Sequence, residues 1–284
     1  MSCVTISGKV ACQPIIAMRS SRSPSALIRL ASRLVRAYIS FSPLQRGKWR
    51  LLHAASRFLV VELEPGVYVR TAHAWGGLEK AILYGWNERE EAARFLSLAK
   101  AGMTVFDVGA NVGFYSLLLA ARVGPTGSVH SFEPTPRVAG ALRTNVQLND
   151  FAQVKVNQIA MSDSCGTTAF YVHDDDVLSS FGGVSQTAID VATLTIDAYL
   201  EQNGIRHVDL IKIDVEGAEV RVLRGASRLL SAPDAPIIMI EVSPQALARI
   251  GDTADLLINL LHAYGYHLTT LAEHDGYRNV LACK

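Results

Sequence analysis

From residue 103 onward, apolar and polar positions recur in a fixed order: a short apolar run, a small-residue break, then a longer stretch at helical spacing. Val105 and Phe106 form a strand that runs into Asp107. The turn Gly109-Ala110-Asn111-Val112-Gly113 follows, then a helix from Phe114 to Arg122, apolar on nearly every side and so expected to be buried. Gly124-Pro125-Thr126-Gly127 ends it, and a second strand, Ser128 to Phe132, delivers Glu133. Pro134 and Pro136 open a helix that runs from Arg137 to Leu148, and a third strand, Val154 to Ile159, leads into Ala160-Met161-Ser162-Asp163. Residues 167–206 form an insertion with strands at Thr167–Val172 and Val191–Ile196 and a helix at Asp197–Gln202. Leu210, Ile211 and Ile213 make a buried strand, followed by a helix from Val220 to Leu230. The strand Pro236–Val242, a helix Pro244–Tyr264 and two closing strands, His267–Leu271 and Asn279–Cys283, complete the chain. Strands alternating with helices predict a doubly wound, mostly parallel α/β sheet with an antiparallel closing strand.

The N-terminal part breaks this rhythm. Residues 1–24 are Ser-rich and patternless, as expected of a disordered leader. From Ser25 a helix with a basic stripe (Arg29, Arg33, Arg36) is expected, and Phe58–Arg70 alternates like a hairpin around Pro65-Gly66. A helix within Leu78–Lys100, with Asn87 as a plausible N-cap, leads into the first sheet strand. The expected division is a leader (1–24), a helix-and-hairpin extension (25–77) and one large α/β domain (78–284).

Charge changes the picture in one respect. Ten of the 27 Lys and Arg precede Glu62 and no Asp or Glu does, which leaves 17 basic against all 26 acidic residues in the remainder. The basic helix suits packing on the domain edge, peripheral contact with a membrane surface, or an organellar transit leader. The acidic body disfavours nucleic acid, whose phosphates would meet negative charge. Four cysteines without metal or redox spacing point to a reducing compartment and a cytoplasmic protein, and no apolar run reaches the roughly 18 residues of a spanning helix.

The turn at 107–113 separates two cofactor classes. A dinucleotide fingerprint needs glycine at 109, 111 and 114, where the chain has Gly, Asn and Phe. The acid-x-G-x-G-x-G pattern of S-adenosylmethionine sites finds Asp107, Gly109, Asn111 and Gly113. A carboxylate at 107 repels a pyrophosphate and attracts the ammonium and sulfonium of a methionine moiety. Glu133 follows at the spacing of a ribose-binding acid. At the third strand end Asp163 either accepts from an adenine amine or makes a turn before Gly166.

The stretch Asp209–Glu219, DLIKIDVEGAE, places Asp214 at the carboxyl end of a buried strand, the edge where ligands bind in open α/β sheets. Glu216 follows, and Glu241 ends the next strand, so the three acids converge on one mouth. Glu219 suits a first-turn dipole partner. Lys212 shares a strand face with Asp214 and either lowers the pKa of an acceptor hydroxyl or pairs with one of the acids. The cluster also suits Mg²⁺ as a minor alternative. The run Asp174-Asp175-Asp176 is expected to be a solvated loop, and no histidine or other residue is assigned to a metal.

VFDVGANVGFYSL, SFEPTP, the helix with Asn145 and Asn149, AMSDSCG, TLTIDAYL and DLIKIDVEGAEVRVLRGA together resemble the FkbM-type methyltransferase family, in matching order from about Gly66 to Leu281. The resemblance implies a class I methyltransferase (Rossmann-like) fold, S-adenosyl-L-methionine as donor, and O-methylation of a small-molecule or glycan-type hydroxyl. By position, Asp107, Gly109, Asn111, Gly113 and Glu133 would line the cofactor, while Asp214 and Glu216 would face the acceptor. Asp214 would orient or deprotonate the acceptor hydroxyl, with Lys212 beside it. The rival reading is a cofactor-binding or scaffold protein of the same fold without turnover, and an intact acidic mouth favours the enzyme.

Overall fold

The computed structural model of the chain describes residues 60–70, 89–172 and 187–284, together with Leu30. The basic leader and helix, Asn87 and Asp174–Asp176 lie outside the described residues. Among the described residues no helix is long and apolar enough to cross a membrane.

A hairpin of β1 (Val60–Glu64) and β2 (Val67–Arg70) comes first, then helix α1 (Arg89–Leu98). Strands β3 (Thr104–Val108), β4 (Ser128–Phe132) and β5 (Val154–Asn157) are joined by α2 (Phe114–Val123) and α3 (Pro136–Leu148). A small sheet of β6 (Ala160–Met161), β7 (Gly166–Val172) and β8 (Thr187–Leu194) makes the insertion and leads into α4 (Ile196–Asn203). The chain then returns through β9 (Leu210–Ile213), α5 (Glu219–Gly225), α6 (Ser227–Ser231) and β10 (Ile237–Val242). Helices α7 (Pro244–Arg249) and α8 (Ala254–Ala263) and strands β11 (His267–His274) and β12 (Tyr277–Cys283) complete it.

The main sheet has seven strands in the order β11-β12-β10-β9-β3-β4-β5. Pairs β4–β5, β3–β4, β3–β9 and β9–β10 are parallel; β12 runs antiparallel between β10 and β11. From β3 the chain moves outward to β4 and β5, then crosses back to lay β9 on the other side of β3. That reversal opens a crevice at the carboxyl ends of β3 and β9.

Successive strand side chains alternate between two buried faces. Phe106, Phe132, Ile211, Ile213, Ile238 and Ile240 pack with α4, α5 and α8 on one face. Val105, Val129, Leu210 and Met239 pack with α1, α2 and the hairpin valines Val61, Val67 and Val69 on the other. A strand covered on both faces reads as a near-continuous apolar run, which is why these strands were visible in the sequence.

Three predicted boundaries change. The third strand stops at Asn157 rather than Ile159, and Ala160–Met161 pair with β8 in the small sheet. The helix expected from Val220 to Leu230 splits at Ala226, where the Asp197 carboxylate accepts from the Arg228 and Leu229 N–H groups (2.8 and 3.0 Å) and caps α6 across the fold. The helix expected from Pro244 to Tyr264 breaks at Gly251 (φ 86°), and Thr253 caps the restart by accepting from Leu256 N–H at 3.1 Å. Pairing with β8 decides the first, a cap from a distant segment the second and a local cap the third, against an apolar spacing that runs on through the two helix breaks.

Candidate active site

At the carboxyl end of β3 the chain turns through Gly109 (φ 82°), Asn111 (φ 48°) and Gly113 (φ 100°) into α2. Gly109 is required twice over. Its backbone is left-handed, and a Cβ built there would run into the backbone carbonyl of Asp214 on the neighbouring strand end. The Gly109 and Ala110 N–H groups both donate to the Phe132 carbonyl at 3.0 Å, which pins the turn to β4. Asn111 accepts on its own Oδ1 from Val112 N–H (2.8 Å), the local bond that lets asparagine hold a left-handed backbone.

Glu133, just past β4, is buried, and its oxygens accept one backbone N–H each: Oε2 from Asn111 (3.2 Å) and Oε1 from Thr135 (2.9 Å). Each oxygen keeps a second lone pair for a ligand hydroxyl. Burial pushes the carboxyl up to about 7, while the two N–H donors pull the other way.

Asp107 is fully buried on the face that carries α2. Its Oδ2 accepts from Ser116 Oγ at 2.5 Å, and Ser116 lies 2.7 Å from Ser131 Oγ. Its Oδ1 has no hydrogen-bond partner among the described residues. Burial raises its pKa, and Lys212, its partner in the β3–β9 ladder, draws it back. A buried carboxylate oxygen without a donor is an attractive position for a ligand cation. Ser116, Ser131 and Tyr115 were not singled out from the sequence. A polar residue inside an otherwise apolar buried helix was the available signal for Ser116.

The second half of the site sits on β9, β10 and the loop after β9. Lys212 is buried, donates to Asp214 Oδ2 at 2.8 Å, and lies 4.9 Å from the centroid of the Tyr115 ring. Of the two alternatives for Lys212, the ion pair is the one formed. The Asp214 side chain is 33% exposed against 8% for Lys212, so the carboxylate faces the crevice while the ammonium backs it. Glu216 holds a left-handed backbone (φ 54°) in the loop that precedes α5.

Glu219 closes that loop: its Oε1 accepts from the Val215 and Gly217 N–H groups at 3.1 and 3.2 Å. The first-turn acid is therefore a loop clamp as well as a dipole partner. Burial, then repulsion from Asp214, pushes Glu216 up to about 8 and Glu241 well above the carboxylate range; burial pushes Glu219 to about 7. Glu241 stands on β10 one position beyond the Ile213–Ile240 pair, so its strand end adjoins Asp214's.

Asp163 follows β6, the short strand of the insertion sheet. It is exposed in the turn after β6, and its Oδ1 accepts from the Ser162 and Ser164 hydroxyls, both at 3.3 Å. Among the described residues no group of three or more His, Cys, Asp or Glu is placed to hold a metal ion.

The geometry suits a ligand that carries both a ribose and positive charge. Glu133 offers lone pairs at one end of the turn, Asp107 offers a bare oxygen at the other, and Gly109 lets the ends of β3 and β9 approach closely. Among known proteins, the model of the methyltransferase FkbM domain matches residues 107–268. The 31-O-demethyl-FK506 methyltransferase FkbM of Streptomyces tacrolimicus is 29% identical over 211 residues, 62% of this chain and 76% of that protein. Methyltransferase sdnD of Sordaria araneosa is 28% identical over 43% of this chain and 59% of its own length. The 2-O-methyltransferase NoeI of Sinorhizobium fredii is 27% identical over 47% of this chain and 61% of its own length. The domain match begins at Asp107 and takes in Glu133, Lys212, Asp214, Glu216 and Glu241, so the glycine turn, Glu133 and the acidic strand ends all lie within one matched unit. With S-adenosylmethionine as its cofactor, the chain belongs to the FkbM methyltransferase family.

Proposed function

We propose that the protein transfers a methyl group from S-adenosylmethionine to a hydroxyl oxygen of a small-molecule or glycan-type acceptor. The observation that carries this reading is the Lys212–Asp214 pair, whose carboxylate faces the crevice beside the glycine turn. The printed names of two relatives, a 31-O-demethyl-FK506 methyltransferase and a 2-O-methyltransferase, support oxygen as the methylated atom.

When bound, the cofactor supplies an electrophilic methyl on a sulfonium. Glu133 is placed to hold the ribose hydroxyls, and Asp107 offers its unpartnered Oδ1 to the cationic methionine end. Asp214 orients the acceptor hydroxyl and takes its proton as the new oxygen–carbon bond forms. Lys212 fixes the rotamer of Asp214, because Oδ2 is occupied by the ammonium and Oδ1 is left for the acceptor. Glu216 and Glu241 border Asp214, and burial together with the Asp214 charge raises their own proton affinities.

The test is a methyl-transfer screen with isotopically labelled S-adenosylmethionine against hydroxylated polyketides, free sugars, sugar acids and, as the opposing class, amines. The label is expected on oxygen, located by fragmentation mass spectrometry. Label found only on nitrogen, or no transfer to any hydroxyl by protein that binds the donor, would overturn the oxygen assignment.

A further inference from the structure

The two asparagines of α3 do something the catalytic reading leaves unused. Strand β2 lies with one edge on β1 and the other across Asn145 and Asn149. Asn149 Oδ1 accepts from Tyr68 N–H at 2.7 Å, and its Nδ2 donates to the Tyr68 carbonyl at 2.6 Å. Asn145 Oδ1 accepts from Arg70 N–H at 2.8 Å, and its Nδ2 lies 3.5 Å from the Arg70 carbonyl. Residues two apart on a strand point their backbone groups to the same edge. Each primary amide therefore gives β2 the donor and acceptor that another strand would have supplied.

Only Asn145 of this pair also bonds the cofactor turn. Its Nδ2 donates to the Val112 carbonyl at 2.9 Å, and the side chain is buried. Val112 follows Asn111, whose N–H donates to the Glu133 carboxylate. One chain of bonds thus runs from Arg70 through Asn145 and Val112 to Asn111 and the ribose acid. The apolar side of the hairpin adds to this connection, since Val61, Val67 and Val69 pack in the same cluster as Leu117, Leu118 and Leu142.

We propose that Asn145 is a positioning residue through which docking of the N-terminal hairpin sets the cofactor turn, so that hairpin docking and cofactor binding reinforce each other. With Arg70 N–H in place, the Asn145 amide has one orientation, oxygen to the hairpin and nitrogen to Val112. Without it the amide is free to turn, the Val112 carbonyl loses its donor, and the left-handed Asn111 loses the restraint on its C-terminal side. Coupling of this kind is reciprocal: whatever the hairpin does for the cofactor, the cofactor does for the hairpin.

The inference rests on the methyltransferase reading, and its test separates the two. Amide hydrogen exchange over residues 60–70 is measured on the full chain with and without S-adenosylhomocysteine, whose affinity is measured by calorimetry. The variants are Asn145→Asp, which keeps the acceptor for Arg70 N–H but loses the donor to Val112, and Asn149→Asp, which loses a donor to the hairpin but does not touch the turn. In the wild type the ligand is expected to slow exchange of the hairpin. Asn145→Asp is expected to abolish that protection and to weaken binding about tenfold, the loss of one buried hydrogen bond. Asn149→Asp, with its looser hairpin, is expected to keep the protection. Wild-type binding without hairpin protection overturns the inference and leaves the cofactor reading intact, as does protection retained in full by Asn145→Asp. No binding by the wild type overturns the cofactor reading and this inference with it. If Asn145→Asp does not fold, the wild-type exchange measurement decides the matter alone.

Discussion

The glycine turn after β3 and the acidic loop after β9 meet at neighbouring strand ends, and each presents carboxylates to the same crevice. They hold those carboxylates in different ways. At the turn, backbone N–H groups do it: Glu133 receives one on each oxygen, from Asn111 and Thr135. At the loop, Glu219 also takes backbone N–H groups, but the acids at the strand ends are governed by other side chains: Asp214 is held by Lys212, and Glu216 and Glu241 are crowded against it with their proton affinities raised by burial and then by repulsion. A backbone cradle fixes position and, by its N–H donors, offsets part of the rise that burial causes in Glu133. A crowded cluster tunes proton affinity. The first arrangement suits recognition of a bound molecule, and the second suits proton transfer.

The largest effect is expected where the two regions touch. Gly109→Ala puts a Cβ against the Asp214 carbonyl and asks alanine for a φ of 82°, so both halves should fail together. A destabilisation of about 3 kcal/mol or more, measured by urea unfolding, with loss of cofactor binding, is the expected outcome. A variant of normal stability that binds normally would show that the strand ends are less tightly joined than the structure has them.

Next come two substitutions that should separate the regions. Asp214→Asn should lower kcat by roughly 10²- to 10⁴-fold, the range for loss of a general base, and leave cofactor affinity nearly unchanged. Glu133→Ala should do the reverse, collapsing cofactor binding in a calorimetric titration. Equal effects of both substitutions on both quantities would erase the distinction between a recognising half and a reacting half.

The smallest expected effect is on pH dependence. Glu133 and Glu219 both rise from 4.5 in the unfolded chain to about 7 in the fold, because burial disfavours their charged forms. The folded state therefore binds more protons than the unfolded one between these values, and the stability of the free protein should fall as pH rises from about 4.5 to about 7. Cofactor affinity should move oppositely, rising through about pH 7 as Glu133 ionises and its oxygens become full acceptors. Thermal unfolding and calorimetry across that range check both signs. A flat stability profile would mean that these acids are already hydrated in the free protein.

Much of this protein was legible from its sequence, for definable reasons. Strands buried on both faces are largely apolar, so β3, β9 and β10 announced themselves, while β4, polar at Ser128, His130 and Ser131, was marked by its place between a Gly-Pro break and Glu133. A left-handed turn needs glycine or asparagine, so Gly109, Asn111 and Gly113 marked the turn after β3, and Asp214 and Glu241 marked the neighbouring strand ends. Family membership was legible from the same segments. What the sequence did not disclose are contacts between distant segments: Ser116 and Ser131 beside Asp107, Tyr115 under Lys212, Asp197 capping α6, and Asn145 joining the hairpin to the turn. Each of these residues is unremarkable in its local context, and spacing says nothing of a partner 30 or 75 positions away. The choice between the two fates of Lys212, and the clamp made by Glu219, likewise waited on the register of β3 against β9 and on the path of one loop. Periodicity and backbone requirements are local and are written residue by residue; side-chain partnership is decided only when the sheet closes and brings its strand ends together.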